Sequence, residues 1–379
     1  MKIKKRYLLL LVIIIAISGT LIHLNAQTYS YPANKDIRFR FNYLNNVIQQ
    51  PLNSNNEIMQ LRVENYEFAL FTYAYSTYAA TNICMHDSSY KKDAIALIQE
   101  AIEKSLSEEI AQPFGVNYEL LESDSLPQQA VLYLGHINLM LGCYRLLNND
   151  STFNKLNDKI SEFLFKKYSN CPFLNLESYP NLIWVPDNTV ALASLKLHDD
   201  NAGSNYSIIC DKWVHFAKNN LIDKKTGVLY STLDPVTGKV LEEPRGSMLA
   251  WSIMFIYRFD EDFANELYQN YKKNFSTNYG IYRLFRERKN IYTTGMGDID
   301  SGPLILGYSI PANEFALACA VQSGDAKTAR KIERLIDHGT KEVIKENNLK
   351  YEVRFIDLNI SPMAEALVLY SLTVTSWRK

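Results

Sequence analysis

Residues 246–258, GSMLAWSIMFIYR, and residues 261–276, EDFANELYQNYKKNFS, stand next to each other and decide the fold. The first segment is apolar on nearly every side at helical spacing. The second keeps an apolar stripe and gives the rest of its circumference to charge. A helix without a polar face must be surrounded by others, whereas an amphipathic one can form an outer layer. Asp260, ahead of the acidic pair Glu261-Asp262, marks the start of the second helix. The same couple recurs as 188–198 with 204–220 and as 311–323 with 325–346, where Ser204 before Tyr206 and Gly324-Asp325 before Ala326 mark the starts. Helical periodicity also covers 57–84, 89–107, 127–148, 152–168 and 361–375. Two turn-rich stretches, 223–227 and 234–238, flank Val228-Leu229-Tyr230-Ser231-Thr232, which reads as a short hairpin strand. Inner and outer helices alternating around a ring predict an all-α fold, an (α/α) toroid of six-hairpin type with a short hairpin insertion. Loops that precede the inner helices then converge on one end of a central cavity.

The ends of the chain follow different rules. Lys2, Lys4, Lys5 and Arg6 precede a wholly apolar run from Leu8 to Ile17, the pattern of an export signal. Leu24, two residues before a cut at Ala26, departs from the small-residue rule for cleavage, so an uncleaved membrane anchor rivals a cleaved peptide. Either way residues 1–26 predict a location outside the cytoplasm. Residues 27–55 are polar and hold Pro32 and Pro51, which reads as a linker or irregular lead-in, and 56–379 is left as the toroid domain. Of 379 residues 47% are hydrophobic, enough for a large core, and 25 are tyrosine. Net charge is −1, with no basic block beyond the N-terminus, which argues against nucleic acid as a partner. The five scattered cysteines have neither zinc spacing nor an even count, and no nucleotide fingerprint occurs, so neither metal nor cofactor is expected. A small-molecule substrate is the expected partner, with self-association left open.

Candidate chemistry gathers before the inner helices. The run Tyr179-Pro180-Asn181-Leu182-Ile183-Trp184-Val185-Pro186-Asp187-Asn188-Thr189-Val190-Ala191 sets a carboxylate, an indole and amides at a helix mouth. Free N–H groups and the helix dipole tolerate an anion there, and an aromatic wall beside it allows a protonation state to be tuned. Asp187 is thus a candidate general acid or base; capping its own helix is the competing reading. His136, beside Gly135 in Tyr133-Leu134-Gly135-His136-Ile137-Asn138, is a second candidate, against a role as a core histidine. Asp298 and Asp300 in the Gly-rich loop 297–303 suit a cation or a substrate hydroxyl, or they stabilise the loop. Glu314 and Glu365 stand in apolar helices and need a partner, for which Arg245 is a candidate.

The pattern Tyr133-x-Gly135-His136-x-Asn138-Leu139-Met140-x-Gly142-x-Tyr144 resembles the linalool dehydratase-isomerase family, as do Asp211-Lys212-Trp213 through Leu221-Ile222-Asp223, Gly227, Tyr230, Asp298-x-Asp300-x-Gly302 and the Gly324-Asp325 start. The resemblance runs from about residue 66 onward. It implies an (α/α) barrel and the removal or addition of water at a tertiary allylic alcohol, with isomerisation of the product. It also implies departures. The paired cysteines used by active members fall at Ser178 and Asp187, a tyrosine falls at Ser247, and the N-terminal catalytic segment, with its Asp and Tyr, has no counterpart. These positions, with Trp184, Asn188, Arg245, Tyr133 and Glu314, make up the expected substrate-binding set.

The expected function is therefore an exported acid–base lyase or isomerase on a small hydroxylated substrate, using Asp187, His136, Asp298 and Asp300. A six-hairpin glycosidase-like enzyme is the alternative, and a non-catalytic ligand-binding toroid the third. A hydrolase demands a polar groove with facing carboxylates. A dehydratase demands a largely apolar pocket with His136 in reach of the substrate, and a scaffold demands that Asp187 be spent on capping.

Overall fold

Described residues of the computed structural model are 2–116, 126–290, 297–356 and 358–377, with only the backbone for 2–6. In chain order the elements are α1 (Lys2–Ala26), α2 (Asn34–Gln49), α3 (Glu57–Glu64), α4 (Tyr66–His86), α5 (Lys91–Ser105), α6 (Glu108–Ala111), α7 (Val131–Leu147) and α8 (Asn154–Asn170). Next come β1 (Ile183–Trp184), α9 (Val185–Ala202), α10 (Ile208–Asn220), β2 (Ile222–Asp223), β3 (Val228–Leu229), β4 (Thr232–Leu233), α11 (Gly246–Ile256) and α12 (Glu261–Phe275). The chain continues with β5 (Ser276–Asn278), β6 (Arg283–Phe285), α13 (Ile310–Gln322), α14 (Ala326–Gly339), β7 (Thr340–Lys345), β8 (Asn348–Val353) and α15 (Pro362–Thr373).

Helices α4, α7, α9, α11, α13 and α15 each touch the next, and α15 touches α4, so the inner layer closes into a ring. Their residues are buried nearly all round, as the absence of a polar face requires. Gly135 shows how closely the ring is drawn. A Cβ there would lie 3.0 Å from the backbone nitrogen of Ala191, so glycine lets α7 and α9 approach backbone to backbone. The outer layer is α5, α8, α10, α12 and α14, each buried along one face. The expected toroid is the fold.

Residues 27–55 depart from the expected irregular lead-in. Within them α2 buries Ile37, Phe41, Leu44, Val47 and Ile48 against α15, α5 and the β7–β8 hairpin. It is the outer partner of the last inner helix, supplied from the opposite end of the chain. The stripe at 37, 41, 44 and 48 is helical, but Arg and Asn between its members dilute the hydrophobic signal, and Pro32 and Pro51 stand just outside the helix ends. Two further boundaries differ. The expected helix 57–84 breaks at Asn65, whose side chain accepts from the Glu67 amide at 3.1 Å and starts α4. The expected helix 325–346 stops at Gly339, and 340–353 forms an antiparallel hairpin with Thr340 facing Val353 and Lys345 facing Asn348. Its turn residues Glu346 and Asn347 both have positive φ, as a two-residue hairpin of this hand requires.

The hairpin insertion braces one loop of the cavity. β2 and β3 pair locally, while β4 pairs with β1 through Ile183–Leu233 and Trp184–Thr232. The Val185 amide also donates to the Ser231 carbonyl at 2.9 Å. Helix α1 stands outside this body: its segment Tyr7–Ala26 is long and apolar enough to cross a membrane, and none of it is buried.

Candidate active site

Residues from the N-terminal turns of the inner helices and from the loops before them line a shared space at one end of the ring. A recess of about 260 Å³ is walled by Tyr66, Glu67, Tyr179, Trp184, Asp187 and Trp251. It shares Phe71, Met248, Trp251, Ile299 and Asp300 with a larger, mainly apolar chamber of about 900 Å³ that extends to Phe315, Met363 and Leu367. Carboxyl groups occupy the recess; hydrocarbon and aromatic rings line most of the chamber.

Asp187 lies in the first turn of α9, but the helix is capped by no side chain and begins after Trp184. Its Oδ2 is buried and has no hydrogen-bond partner among the described residues. Burial raises its pKa well above the ordinary carboxyl range, Glu67 and Asp300 push the same way, and a hydrogen bond from Ser178 opposes them. The two positions that the resemblance assigned to cysteines therefore touch each other. Asp187 is not spent on capping, and so it does not meet the demand of a scaffold.

Glu67 was not singled out by the sequence. Read inside a continuous helix from 57 to 84, it was one more acid on a helix surface; only the break at Asn65 turns it inward. Tyr179 donates its hydroxyl proton to Glu67 Oε1, and burial raises the Glu67 pKa despite that bond. An acid and tyrosines from Tyr66-Glu67 and Tyr179 thus occupy the part of the site for which the sequence offered no counterpart. Asp300 completes the group. Burial first, and the negative charge of Glu67, Asp298 and Glu287 next, raise its pKa to about 6 against the pull of Arg245.

Arg245 organises the neighbouring acids. Its Nε donates to Glu287 at 2.8 Å, one terminal nitrogen donates to Asp298 at 2.6 Å, and the other lies 3.6 Å from Asp300. Glu287 in turn accepts from the Ser247 amide at 3.1 Å and the Ser247 hydroxyl at 2.9 Å. Arg245 therefore serves this loop and not Glu314 or Glu365, the partners expected for it. The cation faced by Asp298 and Asp300 is this guanidinium. Asp298 also accepts from the Ser301 amide at 3.0 Å, and although burial works the other way, Arg245 and these bonds hold its pKa below the usual range. The loop closes tightly enough that a Cβ on Gly297 would collide with the Gly302 carbonyl at 1.8 Å.

Several expected site residues stand elsewhere. His136 does not line the space. It lies beneath Phe71 and Trp251, with ring centroids 5.4 and 5.6 Å away, and its Nδ1 pairs with the Tyr78 hydroxyl at 2.9 Å. Burial pushes its pKa down to about 3, so it is neutral near pH 7 and supports the floor of the site. Asn188 spends its side chain on Tyr168, Leu176 and Trp184, which shapes the loop before α9. Ser247 is committed to Glu287, and Tyr133 is buried with its hydroxyl on the Ser105 carbonyl at 2.9 Å. Trp184 walls the recess beneath the Arg245 guanidinium, 5.8 Å from its ring centre. The Glu314 carboxyl faces the far end of the chamber with no hydrogen-bond or ion-pair partner among the described residues, and burial raises its pKa to about 8. Glu365 is paired with Arg40 at 3.6 Å. Two more buried polar atoms of chamber residues, the Tyr75 hydroxyl and the Trp251 Nε1, also have no partner among the described residues.

Comparison with known proteins supplies two kinds of likeness. The linalool dehydratase/isomerase family model matches residues 156–354. Among solved structures, a possible member of family GH105 from Salmonella enterica is similar with a TM-score of 0.61 at 11% identity, over 92% of this chain and 95% of that one. The GH76A α-1,6-mannanase of Salegentibacter sp. has a TM-score of 0.54 at 12% identity, over 89% and 99%. An unsaturated glucuronyl hydrolase from Bacillus sp. has a TM-score of 0.53 at 10% identity, over 80% and 85%. At these identities the solved structures bear on the fold alone.

Proposed function

The chain belongs to the linalool dehydratase/isomerase family, and on that premise we propose that it is an exported acid–base lyase or isomerase acting on a small alcohol with an apolar body. The observation that carries this reading is the buried Oδ2 of Asp187, without a hydrogen-bond partner among the described residues, beside a space whose walls are otherwise mostly greasy. A carboxyl group kept protonated by burial can donate to a hydroxyl at neutral pH. An apolar chamber selects a hydrocarbon body more readily than a sugar.

In the proposed reaction the Asp187 carboxyl gives its proton to the substrate oxygen. The C–O bond then breaks, water leaves with the bonding pair, and a positive charge remains on carbon. The faces of Trp251 and Phe71 and the new Asp187 carboxylate favour that charge. The carboxylate removes a proton from the adjacent carbon, the C–H pair becomes the double bond, and the acid is restored. Returning water to the other end of an allylic cation, with the extra proton passing back to the Asp187 carboxylate, gives the isomerised alcohol. Glu67 and Asp300 keep the proton on Asp187 through their charge, and Arg245 holds the loop that brings Asp300 there.

Incubating the purified protein with tertiary allylic alcohols and following alkene and isomer by gas chromatography tests the reading, with Asp187→Asn as the control. Product formed by the unaltered protein and lost in the variant is expected. Release of reducing sugar from mannan or unsaturated glucuronides, with no change in the alcohols, would overturn it in favour of a glycosidase. Location outside the cytoplasm rests on the basic residues before the apolar α1 segment.

A further inference from the structure

A second apolar hollow lies behind the chamber. It measures about 770 Å³ and is lined by Leu284, Ile305, Ile310, Ile336, Val353 and Val368 among others, with Glu314 at its inner end. Ile310 and Glu314 line the chamber as well, so these two side chains form the partition between the hollow and the candidate active site. The outer rim is greasy and open: Ile305 is 62% exposed and Leu306 80%, and Phe355, beside the lining residue Val353, is 85% exposed. Soluble surfaces seldom gather such side chains around the mouth of a hollow.

What this rim faces follows from α1. Helix α14 forms one wall of the hollow through Ile332, Leu335 and Ile336. The same helix holds the end of α1: Arg334 donates to the Leu24 carbonyl and to Gln27 Oε1, both at 2.8 Å, and a third bond reaches the Ile281 carbonyl. The Tyr29 amide adds a bond to the Ala326 carbonyl at 2.8 Å. A membrane-length helix therefore ends on α14, the helix whose other face walls the hollow. The tie to Leu24 exists only while the segment before Ala26 remains attached. Charge agrees: Lys331 stands among Arg283, Arg334 and Lys327, and after burial itself these cations are what lower its pKa. Most of these cations are committed: Arg334 as above, Arg283 to the Ser276 hydroxyl, Lys331 to Asn278 and Arg330 to Glu333 and Asp337. The exposed Lys327 adds a cation on the same helix, which suits the headgroups of an anionic bilayer.

We propose that α1 is a retained anchor, that the rim of this hollow rests in the outer part of the bilayer, and that an apolar-chain alcohol dissolved in the membrane reaches the active site through it, past Ile310 and Glu314. The membrane contact stands on the geometry alone; the passage of an alcohol rests on the function proposed above. The chemical class of the substrate then narrows to alcohols that partition into lipid.

Full-length protein in phosphatidylcholine–phosphatidylglycerol vesicles with brominated acyl chains tests the contact. Tryptophan introduced at the rim by Phe355→Trp or Ile305→Trp should lose its added emission to the bromines. Asn149→Trp, between α7 and α8 at the opposite end of the ring, should keep it. Rim tryptophans quenched no more than Asn149→Trp would overturn the proposal whether or not any alcohol is turned over. Where turnover is found, Ile336→Trp should raise KM about tenfold for a vesicle-dissolved alcohol, with kcat and a short water-soluble alcohol unaffected. An equal loss for both alcohols would also overturn the portal, and quenching without turnover of any alcohol would leave the contact standing and remove only the proposed reaction.

Discussion

Two groups of acids share one end of the ring and live under opposite rules. Glu287 and Asp298 sit on Arg245, which supplies a buried cation and a fork of donors. Asp187 and Glu67 sit nearby with no ion-pair partner among the described residues, and burial raises the pKa of both, that of Asp187 well above the ordinary carboxyl range. Asp300 stands between, 3.6 Å from Arg245 yet facing Glu67, and its pKa settles at about 6. The residue types are the same. What differs is whether a guanidinium is within reach, so one group builds the site and the other is left able to move a proton.

The sharpest way to break this contrast is to remove the proton. Asp187→Asn should reduce turnover of the alcohol by about 100-fold or more while leaving the melting temperature close to that of the parent, as kinetics and calorimetry would show. Full activity in that variant would dissolve the distinction between the two groups.

Removing the cation should do the reverse. Arg245→Met leaves Glu287 buried without its partner, which costs about 3–5 kcal/mol for a broken buried pair. Denaturant unfolding would read that loss. The same variant should push the Asp300 pKa higher, because the guanidinium that opposes the rise is gone.

A milder test uses pH. Asp300, Glu365 and Glu314 have folded pKa values raised to about 6, about 7 and about 8. A carboxyl whose pKa rises on folding stabilises the fold fully below its unfolded value and loses that contribution as pH climbs through the folded value. Unfolding free energy should therefore decline from about pH 4 to about pH 8. Glu314→Gln should flatten the upper part of that decline. A profile that rises over this window would contradict the dominance of burial over pairing at these acids.

The smallest expected effect concerns His136. Its folded pKa lies near 3, below the unfolded value, so its contribution to stability is present above about pH 6.5 and is lost as pH falls toward 3. His136→Phe should lower kcat by less than about tenfold, since the ring lies under the site and exchanges no proton with substrate. It should also soften the acid limb of the stability profile. A loss as large as that of Asp187→Asn would return His136 to the chemistry.

Much of the architecture was legible because inner and outer helices obey different burial rules, and residues 246–276 carry both in one stretch. The outer partner of α15 was not legible. Its stripe at Ile37, Phe41, Leu44 and Ile48 is interrupted by polar residues, and its mate lies some three hundred positions away in the chain. Asp187 could be singled out because a carboxylate beside Trp184 at a helix mouth is a local pattern. Glu67 could not, because its direction depends on a helix break at Asn65 that costs only one capping bond. His136 was legible as either a proton-transfer residue or a core histidine; the choice between them was not, since the rings that cover it come from α4 and α11.

Local order in the chain was enough to establish a ring of paired helices, the membrane-length leader and the acid ahead of α9, because spacing and capping act within a few residues. Which acids keep their protons was decided only by the folded arrangement. A proton's affinity depends on how much water is excluded and on which charges lie within a few ångströms, and those neighbours come from helices that no stretch of sequence sets side by side.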